Sequence, residues 1–362
     1  MVIRLERIEK KLDHMMKQCG DIVPWYSPDG IYRECREDFW VSGFWPGMLW
    51  IMYDLTGKES YRKKAWDWDV RIGSLFLKQS NLHHDVGFQF LTTAVLKYKI
   101  TGDQDAYRMG LRAADFLAGR FNPAGRFIRA WNQEKTGWAI IDTMMNVSLL
   151  FWAADETGDP RFAHIATAHA ETVLKHFMRG DGSVHHIVTF DPKTGEMTGA
   201  LKGQGYAEMS SWSRGQAWAI YGMANVYRYT GDKRFLDAAK RAAQYFWMNL
   251  GEKKIPSWDF RAPGQEKERW DSSAGAIAAS GMLVIAEQDE LEGLLYQKCA
   301  ETLIDSLTEY CTELEKTDYQ GILLHGTGNK PAEEQVDVAL IYGDFFYLEA
   351  LAKLEGWKRR VF

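Results

Sequence analysis

Two apolar patterns alternate along the chain. Residues 234–246 place apolar side chains at positions 235, 238, 239, 242, 245 and 246 and basic side chains on the other side, which is the spacing of a helix with one buried face. Residues 144–154 are apolar on nearly every side, as in a helix surrounded by other helices. The chain is therefore predicted to contain amphipathic outer helices and buried inner helices.

Four Thr-Gly dipeptides separate the two kinds of helix. Asp103, Asp159 and Asp232 directly follow three of the glycines. Glycine readily adopts the left-handed backbone conformation that ends a helix, and an aspartate carboxylate can cap the next helix. A tight turn from an inner to an outer helix is therefore predicted at Thr56-Gly57, Thr101-Gly102, Thr157-Gly158 and Thr230-Gly231.

These turns locate the beginnings of the inner helices. Counting back about sixteen residues from each turn predicts four beginnings, near Trp40, Asp85, Asp142 and Arg214. Two further apolar helices are predicted to begin, without such a turn, at Asp271 and Asp337. Six inner helices predict an all-α (α/α)6 barrel, a closed toroid of six helical hairpins that residues 1–362 form as one domain.

An open solenoid of hairpins is the alternative architecture. Its end helices would need polar outer faces, whereas residues 341–348 are mostly apolar. The closed ring is therefore preferred. Strands are expected only as short ribbons around residues 184–202.

Composition excludes several functional classes. The net charge of −5 and the lack of a basic stripe argue against a nucleic-acid partner. No apolar run is long enough to span a bilayer, and residues 1–11 lack the apolar core of a secretion signal. Four scattered cysteines indicate reduced thiols. A cytoplasmic protein without a membrane partner, acting as a monomer or homodimer, is predicted.

Long loops lead into the inner helices, whereas the Thr-Gly turns at the other end are short. The long loops are predicted at residues 118–141, 178–211, 249–271 and 316–336, and loops of this length usually carry function. This end also collects histidines, namely His83, His84, His185, His186 and His325. It collects large aromatic residues as well, namely Trp40, Phe44, Trp45, Trp131, Trp138, Trp212, Trp218, Trp258 and Trp270. Flat apolar rings beside polar groups suit carbohydrates, so a sugar-binding pocket is predicted here.

Two aspartates are the candidates for chemistry. Asp85 and Asp142 open consecutive inner helices at equivalent positions, so they are expected to face each other across the mouth of the pocket. Each could simply cap its helix, and capping would lower the pKa of the carboxyl group. Two carboxylates that share a site have the opposite effect, because each disfavours ionisation of the other. The pair is therefore predicted to supply acid–base catalysis.

A metal or other cofactor is not expected. Adjacent histidines such as His83 and His84 project in different directions, and the sequence has no His-x-x-x-His spacing.

Several segments in order along nearly the whole chain resemble glycoside hydrolase family 88, the unsaturated glucuronyl hydrolases. The matching residues are 40–47, 84–88, 130–132, 141–146, 204–206, 212–218 and 344–350. The resemblance implies an (α/α)6 barrel. It also implies removal of a Δ4,5-unsaturated glucuronic acid from the non-reducing end of oligosaccharides that polysaccharide lyases generate, from glycosaminoglycans or similar polymers. Such enzymes hydrate the vinyl ether instead of attacking the anomeric carbon.

The resemblance also implies roles for individual residues. Asp142 would protonate C4 and then deprotonate the attacking water, and Asp85 would hold substrate hydroxyls and keep the proton on Asp142. Roles in binding the unsaturated oligosaccharide are implied for Trp40, His84, Trp131, His186, Gln204, Arg214 and Trp218. Trp40, Trp131 and Trp218 would face sugar rings, and Arg214 would serve the substrate carboxylate.

Residues 325–331 lie where family members that prefer sulfated fragments are expected to carry a motif of serines and a lysine. This chain has Thr327 and Lys330 there but no serine, so this segment does not predict a preference for sulfated disaccharides, and contact of Lys330 with an anion remains an alternative.

Three alternatives remain at this stage. An unsaturated rhamnogalacturonyl hydrolase would use the same chemistry on pectin fragments. A sugar epimerase would use a histidine pair, with His84 and His186 as candidates. A non-catalytic glycan-binding toroid would use Asp85 and Asp142 only as helix caps.

Overall fold

The computed structural model describes residues 2–78, 80–264, 269–316 and 318–362. Its helices fall into two sets. The outer set is α1 (Val2–Gln18), α3 (Glu59–Gly73), α6 (Gln104–Ala118), α9 (Pro160–His176), α11 (Lys233–Met248) and α13 (Gly293–Cys311). The inner set is α2 (Phe44–Thr56), α4 (Val86–Phe90) continued by α5 (Leu96–Thr101), α7 (Thr143–Asn146) continued by α8 (Ser148–Thr157), α10 (Ser213–Thr230), α12 (Ser272–Gln288) and α14 (Ile341–Leu354).

The inner helices form a closed ring. Each packs on its neighbours in order, and the last one, α14, packs on both α12 and α2. In α12, every residue from Ser272 to Ile285 is buried, whereas α11 buries one face only. The predicted (α/α)6 barrel with two kinds of helix is thus confirmed, and the open solenoid is wrong. The prediction that residues 1–362 form one domain stays a prediction.

The Thr-Gly turns have the predicted geometry. Gly57, Gly102, Gly158 and Gly231 have φ values of +69°, +74°, +69° and +66°. A Cβ at any of them would meet nothing within 4 Å, so conformation and not space requires glycine there. The aspartates that follow three of them, Asp103, Asp159 and Asp232, accept backbone N–H groups of the outer helices that they cap.

The threonine of each dipeptide explains why it recurs. The hydroxyl of Thr101, for example, donates to the carbonyl of Lys97 at 2.8 Å and accepts the N–H of Asp103 at 3.3 Å. Thr56, Thr157 and Thr230 repeat this pair of bonds. One side chain therefore joins the end of the inner helix to the beginning of the outer helix.

Short strands occupy the opposite end, in the long loops. They form sheets of order β2-β1-β9-β8, β3-β4 and β5-β6-β7. The strands are β1 (Pro24–Ser27), β2 (Arg33–Glu34), β3 (Phe121–Asn122), β4 (Phe127–Ile128), β5 (Trp138–Ile140), β6 (Ile187–Phe190), β7 (Met197–Leu201), β8 (Gly326–Asn329) and β9 (Glu334–Leu340). The ribbons expected around residues 184–202 are β6 and β7, so their presence is confirmed, whereas the expectation of strands only there is wrong.

The predicted beginning of the last inner helix at Asp337 is wrong. Asp337 lies in β9 with a φ of +59°, and the helix begins four residues later, at Ile341. Strand β9 pairs with both β8 and β1. These backbone bonds between distant segments keep residues 334–340 in a strand, with left-handed residues at Gln335 and Asp337, instead of a helix.

Aromatic side chains pack together in the space that the inner helices enclose. The ring of Phe362 lies 5.8 Å from that of Phe88, 5.6 Å from that of Phe346 and 5.8 Å from that of Tyr221, and Phe362 is 1% exposed. Within the described residues, every helix is too short or too polar to cross a lipid bilayer.

Candidate active site

Asp85 and Asp142 directly precede α4 and α7, as the repeat predicts. Neither carboxylate accepts a hydrogen bond as a cap of its own helix, in contrast to the capping aspartates Asp103 and Asp232 of the outer helices. The alternative that these two side chains act only as helix caps is therefore wrong. Their carboxyl groups are available for other contacts.

One buried amide joins the two aspartates. The side-chain NH2 of Asn146 donates to Asp85 Oδ1 at 2.9 Å and to the backbone carbonyl of Asp142 at 3.2 Å. Its Oδ1 accepts the N–H of Phe88 at 2.7 Å. A Cβ on Gly87 would lie 2.4 Å from the Cα of Asn146, so only a glycine allows the two helix beginnings to approach this closely.

Burial shifts both carboxyl groups toward their protonated forms. It raises the pKa of Asp142 to about 7, although the charge of Arg214 and the indole N–H of Trp218 act in the opposite direction. Burial also raises the pKa of Asp85 well above its usual range, and the charge of Asp142 raises it further. The raised pKa values favour a proton on the pair near neutral pH, and the assignment of Asp142 as the acid stays a prediction.

His186 faces the carboxyl group of Asp142. Its Nδ1 accepts the backbone N–H of Gln204 at 2.9 Å, so the ring proton is on Nε2, which lies 3.6 Å from Asp142 Oδ2. Burial lowers the pKa of His186 to about 3, so the ring is neutral at pH 7. A Cβ on Gly203 would lie 2.0 Å from His186 Nδ1; that glycine therefore lets the Gln204 turn reach the ring.

Arg214 lies on the other side of Asp142 and is 2% exposed. Its Nη1 bonds to Asp271 and, at 2.6 Å, to the carbonyl of Thr327. Its Nη2 donates to Gln204 Oε1 at 3.2 Å and to the carbonyl of Gly328 at 2.6 Å. Because both terminal nitrogens are occupied, Arg214 holds the rim together and supplies positive charge beside Asp142. The role of Arg214 toward the substrate carboxylate stays a prediction.

His84 lies behind Asp85 and is fully buried. Its Nδ1 is 3.0 Å from the hydroxyl of Thr143, and its Nε2 is 3.4 Å from Asp85 Oδ1. Burial lowers the pKa of His84 well below the usual value, so the imidazole is neutral. It is a polar, uncharged neighbour of Asp85.

The cluster of His83, His84 and Asp85 brings three possible metal-ligand atoms within 4.8 Å of one another. Thr143 bonds to Nδ1 of His84 and Asn146 bonds to Oδ1 of Asp85, whereas Nε2 of His84 has no hydrogen-bond partner among the described residues. The absence of a metal or cofactor stays a prediction.

The predicted aromatic residues divide into an open rim and a buried wall. Trp40, Trp131, Trp138 and Trp270 are half-buried, so their rings can meet a ligand. The others are buried, namely Phe44, Trp45, Trp212, Trp218 and Trp258. Trp218 directs its indole N–H toward Asp142 and has no open ring face, contrary to the expectation for it.

The sequence predicts no role for Asn146 or Arg120, and it indicates Trp212 only as one of the aromatic residues at this end of the barrel. Asn146 had a signal, since it follows Asp142 by one helical turn. Arg120 lies far from the pair in sequence, and its guanidinium bonds to the carbonyls of Ala130 and Trp131. Trp212 packs its ring 4.3 Å from that of His186. Each of the three therefore contacts a predicted site residue: Asn146 contacts Asp85, Arg120 contacts Trp131, and Trp212 contacts His186.

Comparison with known proteins agrees with this geometry. Residues 7–325 match the model of Glycosyl Hydrolase Family 88. The chain is 36% identical over 354 residues to an unsaturated glucuronyl hydrolase of Bacillus sp. (strain GL1), covering 94% of this chain and 93% of that protein. It is 33% identical over 332 residues to an unsaturated chondroitin disaccharide hydrolase of Streptococcus pneumoniae, covering 90% and 84%.

A solved structure of an aspartate-to-asparagine variant, named UGL and containing dGlcA-Glc-Rha-Glc, superposes with a TM-score of 0.94 at 35% identity. The match covers 97% of this chain and 96% of that chain.

Proposed function

The chain belongs to glycoside hydrolase family 88, and from that premise we propose that it removes a Δ4,5-unsaturated glucuronic acid from the non-reducing end of oligosaccharides produced by polysaccharide lyases. The observation that carries the proposal is the buried pair of Asp85 and Asp142, joined by Asn146, with both pKa values raised. Relatives named for unsaturated glucuronyl and chondroitin disaccharide hydrolysis support this substrate class.

Asp142 is the proposed acid and base. Its protonated carboxyl gives the proton to C4 of the unsaturated ring, and positive charge develops at C5 and the ring oxygen. The resulting carboxylate then takes a proton from the water that adds to C5. The hemiketal opens and releases the remaining saccharide. A pKa of about 7 suits both steps, because an acid–base catalyst works best when its pKa lies near the working pH.

Asp85 and His186 are proposed to orient the substrate and the water. Asn146 occupies Oδ1 of Asp85, which leaves Oδ2 toward the substrate hydroxyls. The neutral His186 directs Nε2–H to the Asp142 side of the pocket, where a donor can hold the attacking water or the uronate. Trp40 and Trp131 are proposed to stack on sugar rings, and Gln204 and His84 to complete the polar wall.

Residues 325–331 support a substrate without a sulfate at that position. Lys330 forms an ion pair with Glu333. The hydroxyl of Thr327 donates to the carbonyl of Trp270 at 2.6 Å, and its N–H points to Asp271. The Lys330 side chain therefore bonds within the β8–β9 hairpin, and the Thr327 hydroxyl joins the hairpin to Trp270.

We also propose that the protein acts in the cytoplasm as a monomer or homodimer. All four cysteines, Cys19, Cys35, Cys299 and Cys311, are free thiols, as is usual in a reducing compartment.

An absorbance assay tests the main proposal. The conjugated C4=C5 bond of the substrate absorbs in the near ultraviolet, and hydration abolishes that absorbance. We expect the protein to remove the absorbance of unsaturated glucuronyl disaccharides and leave saturated disaccharides unchanged. An unsaturated rhamnogalacturonyl disaccharide, which should react slowly, distinguishes the pectin-specific alternative. An epimerase would leave the chromophore intact and interconvert saturated sugars.

The variant Asp142→Asn tests the assignment of the acid. Asparagine has nearly the same shape but no acidic proton, so turnover should fall at least about 100-fold, the usual contribution of a positioned acid or base. Binding of the disaccharide, measured by calorimetry, should persist. Asp115→Asn, on the exposed side of α6, is the matched control and should retain activity. Near-normal turnover of Asp142→Asn would refute the assignment.

A further inference from the structure

A cavity of about 410 Å³ is lined by residues of two loops, around residues 36–39 and 131–135, together with Asn81 and His83. Its lining includes Arg36, Asp38, His83, Trp131, Gln133 and Lys135. One residue of the lining lies next to the carboxyl pair, since His83 Nδ1 is 3.6 Å from Asp85 Oδ2. A saccharide attached to the reacting uronate would therefore extend into this space.

The charges that line the cavity do not cancel. Arg36 and Asp38 bond to each other, with Nε to Oδ1 at 2.9 Å, so they neutralise each other. Lys135 is exposed and, within the part of the chain that the structure describes, no carboxylate lies within 4.0 Å of its ammonium group. The acidic neighbour Glu134 does not line the cavity. Lys135 is therefore a net positive charge in the lining of the cavity.

Two indole rings hold that ammonium group in place. Lys135 Nζ lies 4.9 Å from the ring centroid of Trp131 and 4.8 Å from that of Trp138. A cation at these distances is attracted by the negative faces of the rings. The charge therefore lies beside Trp131, the ring that is open to a sugar.

The loop that carries Trp131 and Lys135 is itself fixed. Arg120 donates to the carbonyls of Ala130 and Trp131 at 2.9 and 2.8 Å. Gln133 has a φ of +58°, a strained conformation for this residue type, and its carbonyl accepts a bond from Arg129 at 2.6 Å. Strain of this kind persists where surrounding contacts enforce it and is common in ligand sites.

From this geometry we propose that the cavity binds the leaving saccharide and that Lys135 selects fragments whose leaving saccharide is negatively charged. Trp131 supplies the flat surface for a sugar ring, and Lys135 supplies the charge for a carboxylate or a sulfate on that saccharide. The proposal rests on the proposed function and adds a specificity determinant to the same site.

Three unsaturated fragments test it by loss of the ultraviolet absorbance. The first is a disaccharide with an uncharged leaving sugar, the second a disaccharide with a sulfated leaving sugar, and the third an unsulfated tetrasaccharide whose leaving part contains a uronate. Replacing Lys135 with glutamine should lower kcat/KM for a charged leaving part about threefold to fivefold, as expected for one exposed ion pair. It should leave the uncharged disaccharide unchanged.

The fragment that responds identifies the charged group, sulfate or carboxylate. Lys135→Arg should keep the preference because it keeps the charge. Lys233→Gln is the matched control, since Lys233 is exposed at the beginning of α11, beside a Thr-Gly turn at the opposite end of the barrel. Added salt should weaken the wild-type preference, because screening is strong for exposed charges.

Two results would overturn the proposal. An equal loss on all three fragments would mean that Lys135 only supports the Trp131 ring, and no loss on any fragment would mean that it does not meet the substrate. Failure of the wild-type protein to act on any fragment would be a different result, because it would refute the proposed function itself.

Discussion

At the scale of single residues, the two aspartates differ in what surrounds them. Oδ1 of Asp85 accepts the amide of Asn146. Oδ2 of Asp142 is buried without a hydrogen-bond partner among the described residues, while 16% of its side chain stays exposed. An unsatisfied buried oxygen costs free energy, and native proteins keep few of them. This asymmetry supports Asp142 as the group that exchanges a proton with substrate and Asp85 as the fixed partner.

The pKa of Asp142 predicts how activity depends on pH. Protonation of C4 needs the acid form, which is lost as the pH rises through about 7. We therefore expect kcat/KM to fall about tenfold per pH unit above that value, as measured with an unsaturated disaccharide between pH 5 and 9. A profile that stays flat to pH 9 would contradict the assignment.

The same shift has a consequence for stability. The pKa of Asp142 is higher in the folded chain than the ordinary value of 3.8. Its contribution to folding is thus fully present below pH 3.8 and is lost as the pH rises through about 7. Urea titrations should show that Asp142→Asn, which lacks the buried charge, is more stable than wild type at pH 8, by about 1–3 kcal/mol. The advantage should shrink toward pH 5, and its absence at pH 8 would argue against the raised pKa.

At the scale of elements, the site depends on how closely two inner helices begin beside each other. The beginnings of α4 and α7 meet where Gly87 faces the backbone of Asn146, and a Cβ there would be 2.4 Å from its Cα. At the beginnings of the outer helices α6 and α11, by contrast, Asp103 and Asp232 accept backbone N–H groups and cap the helices. The same residue type at helix beginnings thus caps the helices of the outer ring and leaves its carboxyl group free of capping bonds in Asp85 and Asp142 on the inner ring.

Gly87→Ala tests the importance of this close approach. The added methyl group must push α4 away from α7, because its nearest neighbours include backbone atoms. We expect a loss of about 1–3 kcal/mol in the free energy of unfolding and a fall in kcat of up to about 100-fold, since a shift of 1 Å can have that effect. Gly251→Ala, where a Cβ would meet nothing within 4 Å, is the control. Wild-type kcat in Gly87→Ala would show that the spacing of the helices does not matter.

At the scale of the whole molecule, the site is continuous with the aromatic packing between the inner helices. Short sheets and long loops lie at the end of the barrel that carries the carboxyl pair. Phe362 packs between the inner helices. Phe88 contacts both parts, with its ring 5.8 Å from Phe362 and 5.0 Å from Trp218. The base of the pocket is therefore part of the common core of the barrel.

Phe362→Ala should destabilise the whole barrel. Removing a fully buried phenylalanine ring costs about 3–5 kcal/mol, and this ring contacts three inner helices. Chemical denaturation measures the change in the free energy of unfolding. Met248→Ala, at a side chain that is 83% exposed, should change it by less than about 0.5 kcal/mol. A similar small change for Phe362→Ala would show that the ring is not part of the core.

Local signals were enough to predict much of this protein. Helical periodicity, the Thr-Gly turns and the positions of Asp85 and Asp142 depend on residues close together in the chain, so the barrel and the candidate pair were predictable. The family resemblance added the other candidate residues. Even the misplaced helix beginning at Asp337 reflects pairing with strands far away in sequence.

The remaining features arise only when distant segments meet. Asn146 reaches Asp85 across 61 residues, and the Arg214 guanidinium meets carbonyls more than 110 residues away. These contacts decide that the inner aspartates are not caps, that Arg214 has no free terminal nitrogen, and that Trp218 has no open face. They also bury most of the two carboxyl groups. Because the cost of a buried charge depends on everything around it, no local pattern predicts the resulting pKa.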